Sequence, residues 1–165
     1  MVKPAGLQTY SDCPAQYKFG YVLRVPTTPR TYFQLGSVVH ELIERLTTQE
    51  LEGTPPTIER ANEMLEHCWS SKAYASRQKE AEDKKLAQQM LETYLAWNER
   101  NENEIIGAEM KFAFTLNDRS VTGFIDRVER TPSGEYIVLD YKTGYPAESR
   151  NTIKQNIRKK MNCES

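Results

Sequence analysis

The chain has 165 residues, with 22 Lys and Arg against 23 Asp and Glu, a net charge of −1. That length suits one domain with a real core, and no apolar run reaches the roughly 18 residues of a membrane span. The charge balance excludes neither nucleic acid nor another partner, because binding depends on patches rather than totals. The three cysteines, Cys13, Cys68 and Cys163, are far apart and form no CxxC pair. They read as free thiols of a reducing cytoplasm, too few and too scattered for a zinc site. The opening "MVKPAGLQTY" lacks the apolar core of a secretory signal, so the expected location is cytoplasmic.

The first half reads as helical. In "TYSDCPAQYKFGYVLRV", Tyr10, Cys13, Tyr17 and Tyr21 fall near helical spacing, and Pro14 divides the stretch into two short pieces. "VPTTPR" breaks the chain. In "YFQLGSVVHELIERLTTQEL", Leu35, Val38, Val39, Leu42, Ile43 and Leu46 form an apolar stripe at i, i+3, i+4, i+7. "EGTPPT" is a linker whose Thr57 suits an N-cap, and the next helix runs through Met64, Leu65 and Trp69. A long charged helix spans about residues 77–100, its Glu and Lys residues forming a solvated face.

The period then changes to two. "EMKFAFTL" alternates, with Met110, Phe112, Phe114 and Leu116 on one side. "NDR" is a turn, "SVTGFIDRVER" a second strand, "TPSG" a second turn and "EYIVLDYK" a third strand. The pattern predicts a three-stranded antiparallel meander. After "TGYP" the segment "SRNTIKQNIRKKM" reads as a basic helix. There is no internal repeat and no low-complexity segment.

The third strand poses a chemical question. Ile137, Val138, Leu139 and Tyr141 suit a dry core, yet Asp140 and Lys142 interrupt them, and a buried charge is costly unless it is paired or binds a metal. Side chains alternate across a strand, so Val138, Asp140 and Lys142 share a face, as do Phe124, Asp126 and Val128 on the strand before. If the hairpin turns about Ser133, residues whose numbers sum to 266 are opposed, and Asp126 with Asp140 is such a pair. Opposed residues have Cβ atoms roughly 4.5–5.5 Å apart. Two carboxylates at that separation repel until one takes up a proton or a cation binds between them. A hard divalent cation with oxygen ligands satisfies this. Lys142, about 7 Å beyond Asp140 on the same face, would serve an attacking water or a charged transition state. A second reading stays open. A register slip of one residue separates the carboxylates; Asp126 then pairs with Arg127 or another base, and Asp140 with Lys142 forms a rim salt bridge.

The order "GFIDR … LDYKTG", preceded by "GSVVH" and the "YSDCPAQYKFGYVLRVP" opening, resembles the RecB-type nucleases of the PD-(D/E)XK superfamily. It is most similar to nuclease domains fused to UvrD/PcrA-type helicases. The resemblance runs from about Gln8 to Gly144 and covers the Gly-x-x-x-His helix, here Gly36 and His40. It implies an α/β (α+β-like) fold with a restriction-endonuclease-like core, a helical N-terminal half and a small, mainly antiparallel sheet. One nuclease domain would fill 1–165: 1–104 mainly helical, 105–144 a sheet with the active site, 145–165 a basic tail. The implied function is metal-dependent hydrolysis of DNA phosphodiesters, as an exonuclease, in repair or recombination. His40, Asp126, Asp140 and the Tyr141 carbonyl would hold Mg²⁺ or Mn²⁺. Asp126, Asp140 and Lys142 would be catalytic, Lys142 placing the water, and Glu109 would have a lesser role. The partners implied are DNA and a UvrD/PcrA- or RecB-type helicase, with no membrane.

The chain also departs from the family. Many members carry Gln-x-x-x-Tyr after the lysine strand; Gln155 fits, but the tyrosine position is Lys159. Members usually continue with a further helix and strand beyond a point like Ser165, so the resemblance implies a fold shortened at its C-terminus and a sheet edge open to a partner. That shortening supports a rival reading, an inactive module that binds DNA or a helicase. Relatives with an iron–sulfur cluster use one early and three late cysteines; Cys13 and Cys163 alone match, so no cluster is expected. Arg150, Lys154, Arg158, Lys159 and Lys160 would contact phosphates or line a solvated helix, and Tyr32 and Phe33 would stack on bases or pack in the core.

Overall fold

The computed structural model describes residues 4–26 and 31–143. The predicted basic tail with Arg150, Lys154, Gln155 and Arg158, the late Cys163 and the side chains of Tyr32 and Phe33 lie outside the described residues.

The N-terminal pieces are α1 (Pro4–Asp12), α2 (Pro14–Tyr17) and a π-helical turn (Lys18–Val22). The break falls at Cys13–Pro14 as the sequence predicts. Pro14 occupies the first turn of α2, where its missing N–H costs nothing, and the Cys13 sulfur accepts from the Gln16 N–H. Tyr10, Tyr17 and Tyr21 hold the pieces together, with ring centroids 5.4 Å apart for the first pair and 4.9 Å for the second.

The core lies among three longer helices, α3 (Thr31–Leu51), α4 (Ile58–Cys68) and α5 (Arg77–Asn98). All six residues of the predicted stripe on α3 are buried, against Ala61 and Leu65 of α4 and Ala87, Leu91 and Tyr94 of α5. Burying a side chain of this size contributes about 1.5–3 kcal/mol. Thr57 caps α4 by accepting from the Arg60 N–H at 3.3 Å, and Ser76 caps α5 through the Lys79 N–H. No helix among the described residues is long and apolar enough to cross a membrane.

The sheet has the order β1-β2-β3, with β1 (Glu104–Leu116), β2 (Arg119–Arg130) and β3 (Tyr136–Leu139), all antiparallel. The first turn is a two-residue connection in which Asn117 and Asp118 both have positive φ, 46° and 59°, residue types that tolerate this conformation. In the second, Gly134 adopts φ +88°, and the Thr131 and Glu135 backbones close the turn at 2.8 Å. That turn sets the register Arg127↔Leu139 through Arg130↔Tyr136, each pair summing to 266 as expected.

β3 is a correction to the sequence reading. It stops at Leu139 instead of running to Lys142. The next rung would oppose Asp126 and Asp140, and the chain leaves the ladder at that step. β1 is longer than expected and carries a bulge between Ile105 and Gly107.

The sheet is fixed to the helices through a polar staple. Arg127 and Glu129 are both 1% exposed, and Arg127 Nε meets Glu129 Oε1 at 2.6 Å. Arg127 Nη1 also donates to the Tyr94 hydroxyl at 3.0 Å and to Asn98 Oδ1 at 2.7 Å, and its guanidinium lies 5.1 Å from the Trp97 ring centroid. Glu129 accepts from Asn101 and Asn103 at 2.6 and 2.9 Å. The pairing of Asp126 with Arg127 considered from sequence does not occur. Adjacent strand residues face opposite ways, so Arg127 is committed to α5 while Asp126 faces away from it.

Candidate active site

Asp126 stands at the point where β2 loses its β3 partner. Its Oδ2 accepts the Tyr141 backbone N–H at 2.7 Å and lies 3.6 Å from His40 Nδ1. His40 comes from α3, one turn after Gly36. Glycine at 36 permits close approach: a Cβ there would stand 2.8 Å from Thr143 Oγ1. The two ends of the Gly-x-x-x-His stretch therefore bracket the segment that leaves β3. The Tyr141 ring packs edge-on to His40 and to Tyr94, with centroids 6.3 and 5.8 Å away.

Glu109 joins Asp126 from β1. The pairs Ala108↔Arg127 and Met110↔Ile125 bracket these two residues, placing them alongside each other. Glu109 has φ +47°, a left-handed conformation that is strained for glutamate and clusters at functional sites. Partial burial raises the Glu109 carboxyl above its ordinary pKa, the Glu44 and Asp126 carboxylates raise it further, and His40 opposes them.

These groups line a pocket of ≈ 270 Å³ together with Ser37, Glu41, Glu44 and Tyr141. Glu41 is engaged by Arg45 at 2.6 Å. Glu41 and Glu44 escaped the sequence reading, although Glu44 follows His40 by four residues and so shares its helix face. The buried Arg127–Glu129 pair also escaped it, because exposed and buried charges look alike in sequence.

Asp140 and Lys142 stand apart from this pocket. Their side chains are 61% and 72% exposed, and Lys142 Nζ lies 2.6 Å from Asp140 Oδ2. The structure thus brings together His40, Asp126, Glu109 and the Tyr141 backbone, and leaves Asp140 and Lys142 paired on the rim.

Among the described residues, no three His, Cys, Asp or Glu side chains converge closely enough to hold a metal ion. The chemistry of the donors fits a hard divalent cation all the same. The pocket lining offers an imidazole and the carboxylates of Glu44, Glu109 and Asp126 with no Lys or Arg among its described residues, and Glu109 is raised by burial first and then by the neighbouring carboxylates.

A comparison with known families gives a match to the PD-(D/E)XK nuclease superfamily over residues 4–159. No curated protein matches the chain. Since the family match takes in both the helical half and the sheet, the chain belongs to the PD-(D/E)XK nuclease superfamily.

Proposed function

We propose that this chain is a RecB-like deoxyribonuclease that uses Mg²⁺ or Mn²⁺ and acts as an exonuclease in DNA repair or recombination. It would work in the cytoplasm beside a UvrD/PcrA- or RecB-type helicase, as one domain over 1–165. The observation that carries the reading is Asp126, fixed by the Tyr141 N–H at 2.7 Å and facing His40 in an acid-lined pocket. His40, Asp126, Asp140 and the Tyr141 carbonyl would hold the cation. When bound, it supplies Lewis acidity and lowers the pKa of a coordinated water.

The protein groups divide the remaining work. The Tyr141 amide orients one oxygen of Asp126. Glu109 on β1, alongside Asp126, has the lesser role of a further carboxylate on the pocket wall. Lys142 places the water or offsets charge on the scissile phosphate. Arg150, Lys154 and Arg158 contact the DNA backbone, with Gln155 in a lesser role.

One observation favours a second reading. Asp140 stands outside the pocket, on the exposed rim beside Lys142, as expected of a module that binds DNA or a helicase and cuts nothing. Digestion of end-labelled single- and double-stranded DNA with Mn²⁺ separates the two. Cutting by the wild type that disappears in Asp126→Ala and Asp140→Ala supports the nuclease; equal traces in all three proteins support the binding module.

A further inference from the structure

Asp126 is fixed by a backbone amide, so whatever seats the Tyr141 backbone also seats the carboxylate. The β2–β3 ladder cannot do this, because its last rung is Arg127↔Leu139. The Arg127 guanidinium stands near the Tyr141 hydroxyl but makes no well-aligned hydrogen bond to it, and its Nη1 protons go to Tyr94 and Asn98. Tyr141 is seated by the packing of its ring, edge-on to Tyr94 on α5 and to His40 on α3, with Thr143 against Gly36 beyond it; of these contacts the one with Tyr94 reaches into the core.

Tyr94 is 6% exposed and anchored at both ends. Thr47 gives its own proton to the Ile43 carbonyl at 2.7 Å, so the Tyr94 hydroxyl donates to Thr47 Oγ1 at 2.9 Å. A lone pair is left to accept from Arg127 Nη1 at 3.0 Å. One side chain of α5 thus holds the residue after Asp126 through its oxygen and the residue that orients Asp126 through its ring. Both segments that meet at the carboxylate are tied to it.

We infer that Tyr94 is a positioning residue for the Asp126 carboxylate, acting through the Tyr141 ring, remote from the substrate and the reacting atoms. The inference rests on the nuclease reading for its catalytic consequence, though not for its structural one.

The test uses the full chain and two readouts. The first is the NMR position of the Tyr141 amide proton, which a short charge-assisted hydrogen bond moves downfield; Asp126→Ala marks its position without the bond. The second is kcat and KM for Mn²⁺-dependent DNA cleavage at a temperature where each variant is folded. Tyr94→Leu is expected to shift the amide toward the Asp126→Ala position. Its kcat should fall about tenfold or more, the scale typical of supporting residues around a metal site, with KM for DNA little changed. Tyr94→Phe keeps the ring and should restore the amide position and most of kcat, although its melting temperature falls. Tyr94→Met, closer in volume to tyrosine, carries the same test if the leucine variant fails to fold. An amide that stays downfield in the leucine or methionine variant overturns the inference, as does a phenylalanine variant no better than they are. A wild type that cuts nothing defeats the nuclease reading alone, because the amide position still decides the role of Tyr94.

Discussion

Replacing Glu129 with leucine removes the carboxylate from the staple that joins sheet and helices. Glu129 accepts hydrogen bonds from Asn101 at 2.6 Å and Asn103 at 2.9 Å, and its carboxylate is ion-paired with the Arg127 guanidinium, Nε standing 2.6 Å away. The two asparagines are partly exposed and can turn to water, so their loss is small. Arg127 cannot, being 1% exposed, and its charge is left with the neutral oxygens of Tyr94 and Asn98 and the ring of Trp97. Breaking a buried pair from one side costs about 3–5 kcal/mol. For a chain of this size that lowers the melting temperature by about 6–20 °C. Urea unfolding should show a lower midpoint at an unchanged slope. The double variant Arg127→Met/Glu129→Leu should recover much of the loss, since an apolar pair of similar volume avoids the stranded charge. A single variant that loses less than about 1 kcal/mol would show the pair to be solvated and refute the staple, because that is the range of exposed pairs.

Three further outcomes follow from separate features. Gly36→Ala should gain none of the roughly 1 kcal/mol of helix propensity that alanine normally brings, because its Cβ would meet Thr143 Oγ1 at 2.8 Å; urea midpoints near wild type, with cleavage reduced through the displaced Lys142–Thr143 segment, are expected. Tyr74 is pushed up to about 12, by burial first and then by Asp83 and Glu80. The stabilisation from its neutral phenol is complete below about pH 10, the unfolded value, and drains away as pH rises through the folded one, so wild type should lose stability across that window and Tyr74→Phe should be spared this loss in urea melts. Replacing Arg150, Lys154 and Arg158 together by alanine should weaken DNA binding alike for all sequences and flatten its dependence on log salt by about 3 units, close to one for each phosphate contact.

The fold was legible where one local signal had no competitor. The α3 stripe marks a buried face because each of its six positions repeats at helical spacing, and all six are in the core. The β2–β3 register follows from a short turn with a glycine at its positive-φ position. The end of β3 was not legible, because the pattern of the sequence carries a strand on to Lys142 while the ladder ends three residues earlier, at Leu139, one rung short of opposing Asp126 to Asp140. Of the candidate site, His40, Asp126 and Glu109 are neighbours in the structure. Glu109 reaches Asp126 from a strained backbone that no spacing rule announces. Arg127 reads in sequence as a partner for Asp126, yet strand alternation sends it to Tyr94, Asn98 and Glu129.

Lys142 offers the sharpest separation of cation binding from chemistry. Its contact with Asp140 spans 2.6 Å, but both side chains are more than half exposed. Exposed pairs contribute about 0.2–1 kcal/mol, so holding Asp140 on the rim costs a bound cation at most about fivefold in affinity, with 1.4 kcal/mol to a factor of ten. Asp140 can therefore leave Lys142 for a cation without distorting the core. In Lys142→Ala that small competition vanishes, and Mn²⁺ affinity measured by the EPR signal of the free ion should hold or rise by up to that factor. Asp126→Ala and Asp140→Ala should both weaken it. Cleavage should be lost in all three variants, for want of a ligand in the two aspartate variants and for want of a group to serve the water or phosphate in the lysine variant. Should Lys142→Ala weaken Mn²⁺ binding as much as Asp140→Ala does, the lysine would be fixing the carboxylate for the cation, and its assignment to the water or phosphate would fail.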